Sequence, residues 1–194
     1  HCVLVPADRQ TDEGQVSSNM HAVFAEYERV KILRRTKDGL QRRAKEGYPP
    51  AGSVPLGYRY IKNTGKKGGY YEIEPDEASV VQDIFRWYVQ EGLTMHAIIL
   101  RLIGAGVPTP WARRRQQTPH KYGSAGWHAE SVRKILTNET YIGTLYYGKR
   151  KRVPGKSNPD RNTRWHHLPR DAWIAIPVPS IIDPETFQAA QAQI

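Results

Sequence analysis

Cysteine is almost absent from this 194-residue chain. Cys2 stands alone, so no disulfide framework can form within it, and the composition fits a reducing compartment. Long apolar runs are missing as well: no stretch approaches the ~18 residues that a membrane span requires, and no signal peptide is expected. There is no Gly-x-x-x-x-Gly-Lys-Ser/Thr loop to cradle a nucleotide phosphate. Metal-ligand patterns are equally lacking. His166 and His167 are adjacent and poorly placed to share one ion, His120 and His128 are eight apart across a Gly-rich loop, and no Cys-x-x-Cys accompanies them. Neither a metal nor another cofactor is expected in this chain.

Negative charge is unevenly spread along the chain. The chain carries a net charge of +10 with pI about 9.8, which predicts an acidic partner. Residues 111–170 hold fourteen Lys or Arg against Glu130, Glu139 and Asp160, a local net of +11, whereas residues 48–110 balance six bases with six acids. The excess is therefore a localised face, the pattern of a nucleic-acid site. A hydrophobic fraction of 39%, five Trp and eleven Tyr exclude wholesale disorder. The length allows one or two domains with a real core.

What is present is organised around residues 20–47, MHAVFAEYERVKILRRTKDGLQRRAKEG, which read as one long helix with two unlike halves. Met20, Val23, Phe24, Tyr27 and Val30 form an apolar stripe. Beyond it bases take over: Lys31, Arg34, Arg35, Lys37, Arg42, Arg43 and Lys45. Gly47 and Pro49-Pro50 supply the stop. An apolar start and a basic end describe a connector, one end packing on protein and the other meeting a polyanion. Upstream, Cys2-Val3-Leu4-Val5 reads as a strand end and residues 6–19 as a polar loop, with Ser17, Ser18 and Asn19 as candidate helix caps. A start at His1, with a strand already under way, reads as the middle of a longer protein.

Residues 48–58, YPPAGSVPLGY, are extended and stiff, with three prolines and few free backbone donors. Tyr58–Ile61 and Tyr70–Ile73 read as a hairpin around a Gly/Lys turn. A helix begins at Pro75-Asp76-Glu77, acids first as the macrodipole favours, with Ala78, Val81, Ile84, Phe85, Tyr88 and Val89 on its core face. A second, from Thr94, places Met95, Ile98, Ile99, Leu102 and Ile103 at helical spacing before Gly104-Ala105-Gly106. After a long basic loop comes a short helix near residues 127–138. Val132, Ile135 and Leu136 are its back, and His128, Ser131, Arg133 and Lys134 its polar front, able to fill a major groove. Residues 144–152 read as a strand leading into a basic turn, residues 153–170 as a loop, residues 173–176 as a strand, and the end as a capped helix.

Several of these segments carry a resemblance. Phe24-x-x-Tyr27-Glu28-Arg29-x-x-Ile32-x-x-Arg35-Thr36-x-x-Gly39 is similar to the long helix that closes the catalytic domain of serine recombinases, the resolvase, invertase and phage-integrase family. Trp127-x-x-x-x-Val132-x-x-Ile135-Leu136-x-Asn138-x-x-Tyr141-x-Gly143 resembles the defining segment of the DNA-binding domain in its large members. Pro55-x-Gly57-Tyr58, Pro75-Asp76-Glu77-Ala78 and Gly106-Val107-Pro108-Thr109 follow the family's order, and the resemblance covers roughly residues 20–194. Gly14-Gln15 departs from it, since the family has a basic residue after that glycine.

The resemblance implies an α+β, mainly helical fold: a long connector helix followed by a helix-turn-helix-like DNA-binding domain with small β-hairpins. Residues 1–47 would be the end of a catalytic domain, 48–58 an extended linker crossing the minor groove, and 59–194 the DNA-binding domain. The implied activity is DNA integration or excision through a 5′-phosphoserine, with double-stranded DNA as partner, a homo-oligomer in the intact protein, and a cytoplasmic, DNA-associated location. Arg29 and Arg35 match ancillary active-site positions. None of Ser17, Ser18, Ser53, Ser79, Ser124, Ser131, Ser157 or Ser180 has the nucleophile's context, so the chain alone is expected to bind DNA without cutting it. A zinc domain that usually follows in the family would need more cysteines than this chain has. The DNA contacts expected are Arg42, Arg43 and Lys45 on the long helix; Arg113, Arg114, Arg115 and Lys121; His128, Ser131, Arg133 and Lys134; and Lys149, Arg150, Lys151 and Arg152. Two other classes compete. A helix-turn-helix transcription regulator would not require the Glu28-Arg29/Arg35 pattern. An RNA-binding module would use Tyr58, Tyr60, Tyr70 and Tyr71 as a stacking platform.

Overall fold

The protein is described here by a computed structural model covering residues 12–52, 54–63, 65, 68–109, 126–153 and 164–194. It is α+β and mainly helical, and divides into two compact units, residues 1–42 and 43–194.

Helix α1 runs from Asp12 to Lys45, about 50 Å at ~1.5 Å per residue. It begins well before the expected start, and Ser17, Ser18 and Asn19 lie inside it rather than capping it. The reason is the absence of any breaker: no proline occurs between Asp12 and Lys45, and Gly14 and Gly39 weaken a helix by about 1 kcal/mol each without ending it. The strand expected at residues 2–5 lies outside the described residues. In the first unit, Met20, Val23, Phe24, Tyr27 and Val30 are all exposed.

The stop belongs to the second unit and is a matter of backbone geometry. Gly47 sits at φ +84°; its N–H donates to Ala44 O at 3.0 Å and the Tyr48 N–H to Arg43 O at 2.9 Å. This is the Schellman closure, which needs the left-handed residue that glycine supplies. The following segment is packed rather than free: Leu56 is buried, and Tyr71 donates through its hydroxyl to Pro50 O at 2.9 Å.

β1 (Tyr58–Ile61) and β2 (Tyr70–Ile73) form the expected antiparallel hairpin. Tyr58 and Tyr71 point into the core, which removes half of the proposed stacking platform. α2 (Pro75–Val89) and α3 (Met95–Gly104, capped by the Thr94 side chain) follow. α4 (Ala129–Leu136) leads into a 3-10 turn at Glu139–Ile142. β3 (Thr144–Tyr147) pairs with β6 (Ile174–Pro177), and β4 (Arg150–Val153) with β5 (Arg164–His167), all antiparallel. A second 3-10 turn covers Arg170–Ala172, and α5 (Pro184–Gln193) closes the chain. Two expectations change here. The basic run at 150–152 is a strand and not a turn, and residues 164–167 and 170–172 within the expected loop are ordered elements. Neither stretch alternates apolar with polar, so what holds them is mutual pairing.

The core gathers one face of each helix: Val81, Ile84 and Phe85 from α2, Ile98 and Leu102 from α3, Val132 and Leu136 from α4, and Phe187 and Ala190 from α5. Tyr141 sits among them, stacked on Tyr58 at 6.1 Å and edge-on to Phe85 at 6.3 Å. Ile103, expected on the core face of α3, is exposed.

Candidate nucleic-acid interface

α4 is held from behind at every turn. Trp127 is buried just before it and donates its indole N–H to Val107 O at 2.9 Å. The His128 carbonyl accepts from the N–H groups of Ser131 and Val132 at 2.9 and 3.2 Å. Val132, Ile135 and Leu136 are buried, and Gln191 on α5 donates to Leu136 O at 2.6 Å. Asn138 then caps the 3-10 turn, its side-chain oxygen accepting from Thr140 N at 3.2 Å and from the Thr140 hydroxyl at 2.8 Å. Gly143 ends the turn at φ +95°. Every fixed residue of the Trp127–Gly143 signature thus has a structural role. The signature marks the scaffold of this helix, not its contacts.

The other face of α4 is open. His128, Arg133 and Lys134 are exposed, and Ser131 is half-buried. Lys134 reaches Glu130 at 3.6 Å, an exposed i,i+4 pair worth a few tenths of a kcal/mol. Arg133 makes no ion pair among the described residues, so its guanidinium is available to an external acceptor.

The β4–β5 ribbon concentrates bases differently. Arg150 stands opposite His167, Lys151 opposite His166, Arg152 opposite Trp165 and Val153 opposite Arg164. Successive residues face opposite sides of a strand, so basic residues fall on both faces. Neither strand contains a carboxylate, and Trp165 is 61% exposed.

At the base of this ribbon lies a cluster that sequence reasoning missed, since only Lys149 was singled out there. Tyr146 and Trp173 meet edge to face at 5.6 Å. Lys149 Nζ lies 5.4 Å and 5.2 Å from the two ring centres, and Arg170 Cζ lies 5.2 Å and 5.7 Å from them. Arg170 Nη2 donates to Glu139 Oε2 at 2.6 Å and to the Tyr146 hydroxyl at 3.4 Å. Partial burial lowers the Lys149 pKa; Glu139 opposes that shift, while Arg170 and Arg150 add to it. Hydrogen bonds to Tyr146 and Glu139 raise that of Arg170. The available local signal was Tyr146, three residues before the basic run; Trp173 and Arg170 lie about twenty residues beyond it and are brought there by the β3–β6 pairing.

On α1, Arg29 is exposed and pairs with Glu26 at 3.4 Å. Arg35, Arg42, Arg43 and Lys45 are exposed along the same helix. Arg113, Arg114, Arg115 and Lys121 lie outside the described residues, as does the Arg152 side chain. Among the described residues no three His, Cys, Asp or Glu side chains converge as a metal site, and no helix is long and apolar enough to cross a membrane.

The second unit is thus a mainly helical domain that presents a scaffolded, open-faced basic helix and a basic ribbon, and comparison with known proteins identifies its family. Residues 75–194 match the Recombinase family and residues 2–48 the "Resolvase, N terminal domain" family. A "Putative DNA recombinase" of Bacillus subtilis (strain 168) is 26% identical over 186 residues, covering 92% of this chain and 34% of the relative. The chain therefore spans about a third of that relative's length. Two solved chains resemble it at TM-score 0.47 over 81% of its length. One comes from "Crystal Structure of a LSR-DNA Complex" (19% identity, 36% of that chain) and the other from "Sequence Requirements of the Listeria innocua prophage attP site" (18%, 50%). The chain belongs to the large serine recombinases.

Proposed function

We propose that this chain is the DNA-holding portion of a site-specific serine recombinase, gripping one half of an attachment site in double-stranded DNA. The observation that carries the reading is a coincidence in sequence. The +11 excess lies on residues 111–170, the stretch that contains the family signature and the scaffolded helix α4. In this reading α3 and α4 act in the manner of a helix-turn-helix, with Ser131, Arg133 and Lys134 toward base edges and His128 beside them. Arg113, Arg114, Arg115, Lys121 and Lys149–Arg152 hold phosphates. Arg42, Arg43, Lys45 and the 48–58 segment follow the minor groove, favouring A·T-rich steps.

In the intact recombinase a serine oxygen outside the eight of this chain would bond to phosphorus, and the 3′ oxygen would leave as a hydroxyl. The energy of the broken phosphodiester is then kept in a 5′-phosphoserine. Arg29 and Arg35 are proposed to stabilise charge on the transferring phosphoryl group, and the intact protein to act as a homo-oligomer. A transcription regulator is not favoured, because residues 2–48 match the resolvase N-terminal domain.

The test is a binding titration of the chain on labelled duplexes, paired with incubation on supercoiled plasmid. Salt-dependent duplex binding with no nicks and no covalent adduct is expected. Absence of duplex binding overturns the reading, and a 5′-linked adduct on any serine of this chain overturns its assignment as a holding portion only.

A further inference from the structure

The outward face of the β3–β6 ribbon carries two cations over one pair of aromatic rings. In the β3–β6 register Leu145 stands opposite Ile176 and Tyr146 opposite Ala175. Ile176 is fully buried and Leu145 packs on the core, so Tyr146 and Ala175 face the other way. On that outer side Lys149 and Arg170 share the same two aromatic rings. A cation over a ring is an ordinary packing device. Two cations over one ring pair, with Arg150 adjacent and Glu139 as the only carboxylate among the described residues bonded to either, hold more positive charge than packing requires.

The rest of the geometry fixes these charges in place. Trp173 donates its indole N–H to Leu168 O at 2.9 Å, and the Leu168 N–H donates to Lys149 O at 2.9 Å. The backbone carrying Lys149 is thereby tied to the ring beneath its ammonium group. Among the described residues both side-chain bonds of Arg170 run through Nη2, and its Nε and Nη1 groups, which point to different sides of the guanidinium, have no partner there. The Arg170 side chain is 64% exposed. Nε and Nη1 can each donate a single charge-assisted hydrogen bond to a phosphate oxygen.

We propose that Tyr146, Lys149, Arg170 and Trp173 form a phosphate-binding site that grips the DNA backbone at the base of the β4–β5 ribbon, apart from helix α4. The proposal rests on the reading that the chain binds duplex DNA. The bound phosphate supplies the negative charge that the cluster lacks, and Glu139 sets the guanidinium plane while competing with it.

The test uses the 194-residue chain and a fluorescein-labelled, mixed-sequence duplex of about 30 base pairs, titrated at several KCl concentrations with thermal melts alongside. Arg170→Gln and Lys149→Gln should each lower affinity by roughly 3–10-fold and reduce the log K against log salt slope by about 0.9. Arg170→Lys, which retains the charge, should keep the slope. Glu139→Gln removes the competing carboxylate and should tighten binding. The Trp173 indole N–H resonance, assigned through Trp173→Phe, should shift on titration. Wild-type affinity and slope in both glutamine variants overturn the proposal. So does weaker binding by Glu139→Gln, because a mere structural brace loses its function when either partner is removed. If the unaltered chain binds no duplex, the DNA-binding reading itself fails, an outcome distinct from a wild type that binds and variants that match it.

Discussion

The hydroxyl of Tyr58 donates to Pro179 O, 2.6 Å away and 121 residues further along the chain. The same hydroxyl reaches Thr140 O at 3.0 Å, so one proton is shared between the segments before β3 and after β6. Burial holds the phenol pKa well above its ordinary value, and the group stays a neutral donor at any working pH. Tyr58→Phe leaves two carbonyls without this donor and should cost about 1–2 kcal/mol. A drop in Tm of roughly 2–8 °C, with the urea m-value unchanged, is the expected readout.

Two glycines separate backbone conformation from space. Gly47 and Gly57 both lie in the left-handed region, at φ +84° and +89°. A Cβ at Gly47 would meet nothing within 4 Å, whereas one at Gly57 would come within 2.7 Å of the Ile181 side chain and 3.5 Å of the Ala78 backbone. The Gly57 N–H also donates to Glu77 Oε2 at 2.9 Å. Gly47→Ala should therefore cost about 1 kcal/mol, the left-handed penalty alone. Gly57→Ala should cost clearly more, and denaturant melts of the two variants compare them directly. Equal losses would mean that Ile181 yields without cost.

Asp183 caps α5, its carboxylate accepting from Thr186 N at 2.8 Å. That hydrogen bond lowers its pKa. A group whose pKa is depressed on folding stabilises fully above its unfolded value, near the ordinary carboxylate range, and loses that contribution as pH falls through the folded value. Asp183→Ala should thus lower Tm at neutral pH, with the gap to wild type closing on acidification. Asp183→Asn, which caps without titrating, should show a gap that varies with pH while melting above the alanine variant at neutral pH. A pH-independent deficit for Asp183→Ala would rule out the charged cap.

How far the fold could be read from sequence depended on what holds each element. α2, α3, α4 and α5 have apolar faces at helical spacing or cap residues such as Thr94 and Asp183, and β1–β2 has its aromatic strands around a Gly/Lys turn. These elements are local in origin and were legible. The first turns of α1 were not, because Ser17-Ser18-Asn19 suits a cap as well as an exposed helix interior. β4 and β5 were illegible for a different reason: Arg150–Val153 has no strand periodicity and acquires its pairing from residues 164–167. The aromatic–cation cluster depends on the same non-local pairing. Sequence pointed to Lys149 because it belongs to a basic run, but only the β3–β6 register brings Tyr146 and Trp173 beneath it and Arg170 beside it.

The division of labour between α4 and the ribbon yields the sharpest prediction about recognition. Phosphate contacts position a protein on any duplex, whereas base-edge contacts distinguish one sequence from another. Arg150 lies at the start of a strand without a carboxylate, next to the Lys149 cluster, so Arg150→Ala should weaken specific and scrambled duplexes alike and reduce the salt slope by about 0.9. Arg133 projects from α4 without an ion-pair partner among the described residues, while Val132, Ile135 and Leu136 hold the helix from behind. Arg133→Ala should therefore leave the fold intact and cost about 1–3 kcal/mol on the specific half-site, with little loss on scrambled DNA. Titrating each variant on both duplexes at several salt concentrations separates the roles. If Arg133→Ala lowers both affinities equally, α4 is a phosphate-binding helix and sequence is read elsewhere. If specificity falls instead on changing Arg114, the basic segment preceding α4 carries it. An unchanged specificity ratio in Arg150→Ala, combined with a reduced one in Arg133→Ala, would establish that the scaffolded helix reads bases and the ribbon holds the backbone.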